Sequence, residues 1–140
     1  MDAKERLSEA WYCYQQIQAQ LHDVERLRSL AEKCTTSFSL APTNGGTGDR
    51  IPDAVARIME IEEEVNNRIE EYKEARKNVE DYINDNVPHG PMSVVLYRRY
   101  IMMERWEHIA TGMCYSIQHV WRLHGRALKF LNSNMRENAS

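Results

Sequence analysis

The residues with most capacity for chemistry lie near the end of the chain. Gln118, His119, Arg122 and Arg126 place an amide, an imidazole and two guanidinium groups within nine residues, with Ser116 just before them and Lys129 just after. Such groups donate to base edges and phosphates: an amide pairs with the edge of adenine, a guanidinium with that of guanine. An Arg98-Arg99 pair lies upstream. It suits phosphate oxygens, or it is a surface pair with no ligand. Other chemistries find less support. The carboxylates from Glu60 to Glu74 have no histidines at ligand spacing, so they read as a solvated helix face. His108, His119 and His124 have no cysteine or acid to complete a metal site. Cys13, Cys34 and Cys114 are odd in number and form no C-x-x-C pair, which points to reduced thiols. The Gly45-Gly46-Thr47-Gly48-Asp49 run lacks the Gly-Lys-Ser/Thr ending of a phosphate cradle. No catalytic residue, metal ligand or cofactor is expected.

The elements that position the polar face are two helices and a turn. Trp106, Ile109 and Ala110 fall on one helical face at i, i+3 and i+4. Gly112, Met113 and Cys114 mark the bend. Ser116 is suited to cap a second helix by accepting from the backbone N–H of Gln118 or His119. From there to about Leu131, Val120, Leu123, Ala127, Leu128 and Leu131 form an apolar stripe, with the polar residues opposite. Two helices so joined form either a helix-turn-helix, whose second helix enters the DNA major groove, or an ordinary amphipathic pair within a bundle.

The same segment resembles region 4 of sigma-70-type RNA polymerase sigma factors. The residues that carry the likeness are Trp106-Glu107-His108-Ile109-Ala110, Tyr115-Ser116, Ile117-Gln118-His119, Val120 and Ala127-Leu128-Lys129-Phe130-Leu131, matched without a gap. Leu96-Tyr97-Arg98-Arg99-Tyr100-Ile101 is similar to the helix that precedes this unit in that family. The chain as a whole resembles small phage and prophage proteins that join a coiled-coil-like N-terminal half to a region 4-like end. The resemblance implies a sequence-specific DNA-binding transcriptional regulator. Double-stranded DNA would be its partner, with RNA polymerase a further possible one. Ser116, Gln118, His119, Arg122 and Arg126 would meet DNA, with Arg98 and Arg99 on phosphates. Two departures stand out. Cys114 occupies the turn position where the family has Gly. Ile117 and Trp121 occupy reading positions, where they suit a thymine methyl or a dimer interface rather than guanine.

Net charge is −3, but it is unevenly distributed. Residues 1–87 carry 11 Lys and Arg against 18 Asp and Glu, and residues 88–140 carry 7 against 3. An acidic scaffold bearing a modestly basic end makes few phosphate contacts per protomer, so useful DNA affinity calls for a homodimer or a second bound partner. No apolar run approaches the ~20 residues of a membrane span. The charged start, Met1-Asp2-Ala3-Lys4-Glu5-Arg6, has no signal core. The expected location is the cytoplasm of a bacterial host cell.

The expected fold class is all-α. A long antiparallel, coiled-coil-like helical hairpin over 1–87, broken by a loop at 35–51, precedes a sigma-70 region 4-like helix-turn-helix domain over 88–140. The first helix, 2–34, has heptad positions Leu7, Tyr14, Leu21, Arg28 and Ala10, Ile17, Val24, Ala31. The second, from Pro52 to about Asn84, repeats Ile58, Val65, Tyr72, Val79 and Val55, Ile69, Ile83, with Ile61, Ala75 and Tyr82 widening the stripe. Stripes this wide imply either pairing of two chains into a four-helix bundle or cover from the C-terminal helices of the same chain. Residues 88–91 read as a stiff linker, 92–103 as a helix with Val95, Leu96, Tyr100 and Met103 inward and Arg98 and Arg99 outward, and 132–140 as a frayed tail. Besides a regulator, two other classes fit: a DNA-packaging protein like a phage terminase small subunit, and a protein-interaction module that contacts RNA polymerase without touching DNA.

Overall fold

The computed structural model describes residues 2–40 and 50–139. Among these the chain is all-α, with no strand. Its helices are α1 (Ala3–Leu7), α2 (Glu9–Leu40), α3 (Arg50–Asn86), α4 (Pro91–Leu96), α5 (Trp106–Met113) and α6 (Ile117–Ala139). A π-helical turn, Tyr97–Ile101, continues α4. The chain forms two compact units, Tyr14–Glu71 and Met1–Cys13 with Tyr72–Ser140. The division therefore crosses α2 and α3, whereas the linker reading places it at residue 87.

In the Tyr14–Glu71 unit, α2 and α3 pair along one narrow line. Ile17 and Val24 of α2 and Ile58, Ile61 and Val65 of α3 are buried. Arg28 reaches Glu62 at 2.6 Å and Gln20 reaches Glu64 at 2.8 Å. Contacts thus climb on one helix as they descend on the other, and the two run in opposite directions. Both partners of the Arg28–Glu62 pair are about half exposed, so it adds at most ~1 kcal/mol. Each buried aliphatic side chain contributes ~1.5–3 kcal/mol, so the apolar line holds the helices together. Two expected registers are corrected. On α2, Leu21 and Arg28 are exposed, because a two-helix contact covers only the line through Ala10, Ile17 and Val24. On α3, Ile61, Ala75 and Tyr82 join Ile58, Val65 and Val79 in the buried line; of the expected Val55, Ile69 and Ile83, Ile83 is buried, Ile69 is half-buried and Val55 faces outward. The spacing of 58, 61 and 65 is a true three-four repeat that keeps one seam facing its partner.

α2 continues to Leu40, past the expected break at residue 35. Residues 35–40 include several weak helix formers but no Gly or Pro, and the strong breakers begin at Pro42. Residues 41–49 of the expected loop lie outside the described residues.

In the other unit, the start of the chain packs with its end. Asp2 caps α1 through a reciprocal pair with Glu5: the Glu5 N–H donates to Asp2 Oδ1 at 2.9 Å, and the Asp2 N–H to Glu5 Oε2 at 3.1 Å. The Ala3 N–H, another donor the helix itself cannot satisfy, donates to Asn132 Oδ1 at 2.9 Å. One core then gathers Ala3, Leu7 and Ala10 with Val79, Tyr82, Ile83, Leu96, Tyr100, Ala127 and Leu131. Helix α6 of the same chain covers the broad Tyr82 end of the α3 stripe, and the Tyr82 hydroxyl lies 3.4 Å from Met135 Sδ. Residues 132–139 are therefore helix rather than a frayed tail. Asn132 and Met135 find partners on α1 and α3 that residue-by-residue polarity does not reveal.

A second, smaller core joins Val95 of α4 to Ile109 and Ala110 of α5 and to Val120 and Leu123 of α6. Trp106, Met113 and Ile117 pack at its edge. Pro91 opens α4, where its missing N–H costs nothing. The helix expected over 92–103 ends at Ile101. Met103, half-buried, takes a left-handed backbone with φ 59° and turns the chain into α5.

Asn132→Ala removes the side-chain acceptor at the start of α1. Its expected cost is about 1 kcal/mol, read as a lower urea midpoint with unchanged slope. An unchanged midpoint would show that the α1–α6 tie adds nothing to stability.

Candidate nucleic-acid interface

Helix α6 carries the surface that the sequence singles out. Its inner stripe, Val120, Leu123, Ala127 and Leu131, is buried. Gln118, Trp121, Arg122, Gly125, Arg126 and Lys129 are all exposed. Their spacing of i, i+3, i+4, i+7, i+8 and i+11 is one helical face. It holds three cations and no acid. The sequence picks out Trp121 only through the family resemblance and does not pick out Gly125. Trp121, 49% exposed, sits in the middle of the face. Gly125 leaves a bare patch of backbone where an added Cβ would meet nothing within 4 Å.

The turn that aims α6 is tight. Helix α5 runs to Met113, so Gly112 and Met113 of the expected bend are helical, and Cys114 ends it in the left-handed conformation, φ 59°, ψ 38°. Its N–H and that of Tyr115 close onto Thr111 and Ala110 carbonyls. This is a conformation in which Gly is unstrained and a residue bearing a Cβ costs about 1–2 kcal/mol. Ser116 is the cap, its Oγ accepting from the His119 N–H at 3.2 Å. Its hydroxyl is thus committed first to its own helix. His119 is half-buried, with its ring edge-on to Tyr115 at 4.6 Å between centroids.

Arg98 and Arg99 do not face outward as expected; both are half-buried, and Arg99 lies at i+4 from Val95 and i+3 from Leu96, on the inner side. The π-helical turn adds a residue to the helix and shifts its phase. Arg98 Nη1 lies 3.4 Å from Glu104 Oε2 and rests over Gly112, where a larger side chain would displace the guanidinium. Arg99 donates from Nη1 to the Glu104 carbonyl at 3.0 Å and stacks over the Trp106 ring at 4.4 Å. These arginines tie the π turn to α5. The chain therefore brings Gln118, Arg122 and Arg126 together on one open face, holds Ser116 and His119 at its rim, and keeps Arg98 and Arg99 behind it.

Beneath the face lies His124. Its Nε2 is 2.6 Å from the Tyr100 hydroxyl, its ring stacks on Tyr100, and Trp106 meets it edge-on at 4.8 Å. Burial, with Lys4 and Arg99 nearby, pushes the imidazole down to about 4 from an ordinary 6.5. Burial pushes the Tyr100 phenol up to about 12, against the opposing pull of Arg99. His124 is thus a neutral hydrogen-bonding joint rather than a reader. The signal for this was its place at i+4 from Val120 along the apolar stripe. Among the described residues no three His, Cys, Asp or Glu side chains converge as a metal site would need. No helix of the described residues is long and apolar enough to cross a membrane.

Comparison of the chain with protein-family models, with curated proteins and with solved structures finds no match.

The His124 joint sets a pH dependence. Because the folded ring titrates near 4 and the unfolded one near 6.5, only the unfolded chain gains this proton between those values. The stability linked to His124 is therefore complete above pH 6.5 and falls as pH drops towards 4. A His124→Phe variant takes up no proton, so its urea midpoint should fall less over that interval than that of the natural chain. Parallel profiles would contradict this.

Proposed function

We propose that this chain is a sequence-specific DNA-binding transcriptional regulator of the phage or prophage type. In this reading α5, its turn and α6 act as a sigma region 4-like helix-turn-helix, and α2 with α3 forms an antiparallel hairpin through which two copies associate. The observation that carries the reading is the exposed face of α6. It combines an amide, a tryptophan, a bare glycine and three cations without an acid, on a helix whose other side is locked into two cores.

The N-terminal part of α6 would enter the major groove. Gln118 suits the adenine edge and Arg122 the guanine edge, while Trp121 suits a thymine methyl. Arg126 and Lys129, further along, would lie on phosphates. Gly125 lets backbone approach the duplex closely. Arg98 and Arg99 take a supporting role by fixing the angle of α5. Two phosphate-contacting cations per protomer give a salt slope of only about −2, so a homodimer on two half-sites is the sensible binding unit. Leu21, Leu30, Val55 and Met59 are exposed along α2 and α3 and supply apolar surface for that pairing. The resemblance to region 4 also allows contact with RNA polymerase.

Trp121 favours a second reading. A half-exposed tryptophan at the centre of a face is also the mark of a protein-binding hot spot. In that case α6 docks on a protein such as RNA polymerase and DNA contacts are secondary.

Two variants separate base reading from phosphate contact. Gln118→Ala should lose discrimination at one base position, worth about 1–3 kcal/mol, and keep affinity for random DNA. Arg126→Ala should weaken selected and random DNA alike and make the salt slope shallower by about 1. Fluorescence anisotropy on both DNAs measures this. Equal losses on both DNAs from both variants would refute the division of roles, and no DNA binding by the natural chain would favour the protein-docking reading.

A further inference from the structure

Against the inner side of the Tyr100–His124 joint lies a cavity of about 230 Å³, entirely within the unit that joins the two ends of the chain. Trp11 and Trp106 form its apolar walls, Tyr100 and His124 line it, and Lys4 and Arg99 bring two positive charges to it. No acidic side chain lines it, and neither Lys4 nor Arg99 forms an ion pair among the described residues. Arg99 is already fixed by its bond to the Glu104 carbonyl and its stack on Trp106, so its remaining N–H donors are held in place before anything binds.

We propose that this cavity is a binding site for a small planar aromatic carboxylate. Its ring would lie between Trp11 and Trp106, and its carboxylate would meet Lys4 and Arg99. Charge selects the anion: two cations line the cavity and no acid does, so a carboxylate can accept charge-assisted hydrogen bonds from both. Shape selects the ring, because indole walls and a neutral imidazole favour a flat apolar body. Size selects a single ring, since pockets for drug-sized ligands run to about 300–1,000 Å³. The occupant would join α1 and α2 to α5 and α6, which is where a ligand can steady the angle of the α6 face. The site itself does not depend on what that face binds.

The three tryptophans make the test direct, because each gives one indole N–H signal and Trp121 lies on the outer face of α6. Benzoate titrated into the full chain should shift the Trp11 and Trp106 signals, saturate with a Kd of about 1 mM or tighter, and leave Trp121 in place. Benzyl alcohol, which keeps the ring without the charge, and inorganic phosphate, which keeps charge without the ring, should each bind at least about tenfold more weakly. Lys4→Gln should weaken benzoate about tenfold, and Lys4→Arg should largely restore it, with unchanged spectra elsewhere. Absence of any shift at about 10 mM benzoate would overturn the proposal, given that affinity expectation. So would equal shifts at all three tryptophans, or equal binding of benzyl alcohol.

Discussion

The hydrogen bond between the Tyr100 hydroxyl and His124 Nε2 is the joint from which the geometry of the C-terminal helices follows. Both groups are largely withdrawn from water, and leaving either without its partner costs about 1–3 kcal/mol. The stack of the two rings and the edge of Trp106 fix the direction of the bond. Arg99 in turn lies on Trp106 and holds the Glu104 carbonyl, so the π turn, the connection to α5 and the middle of α6 are set by one contiguous cluster. The small core of Val95, Ile109, Ala110, Val120 and Leu123 supplies the burial energy; the polar cluster supplies the angle.

Two left-handed residues bracket α5, Met103 before it and Cys114 after it, each at φ 59°. Neither is Gly, so each conformation costs about 1–2 kcal/mol that the packing around it must offset. What the chain obtains is a short helix turned sharply at both ends, with Arg98 lying across Gly112 to brace it. With α5 held so, α6 has its stripe buried on one side and its cationic face left bare on the other. The Asn132 bond to α1 extends this hold to the far end of α6 and commits the start of the chain to the same unit.

Much of this was legible in the sequence where one helix's own periodicity decides it. The stripe Val120, Leu123, Ala127 and Leu131, the cap Ser116 and the all-helical class needed only local rules. Three features were hidden, each because a distant partner decides it. On α3, Ile83 is buried as its repeat expects, but Val55 of the same repeat is exposed while Ile61, Ala75 and Tyr82 are buried, a choice that the packing partners make. Arg98 and Arg99 read as outward charges, although Arg99 lies at i+4 from Val95 and i+3 from Leu96; their partners Glu104 and Trp106 lie beyond the helix end, and the extra residue of a π turn leaves no local mark. The polar run from Asn132 reads as a tail unless one knows that the α1 N-terminus and Tyr82 wait for Asn132 and Met135. The open face of α6 was partly visible: its amide and guanidinium groups declared themselves and Trp121 stood at a reading position by resemblance, whereas Gly125 gained meaning only when its exposure was known.

The most direct test of the central claim is selection from a random-sequence duplex pool by the full chain at two salt concentrations, followed by sequencing of the retained DNA. A DNA-reading α6 face on paired chains should enrich a palindrome whose half-sites lie about one helical turn apart or a multiple of it. Retention should fall with salt, with a log–log slope of about −4 for two protomers. No retention at low salt, or retention without any enriched sequence, would contradict sequence-specific DNA binding by this helix.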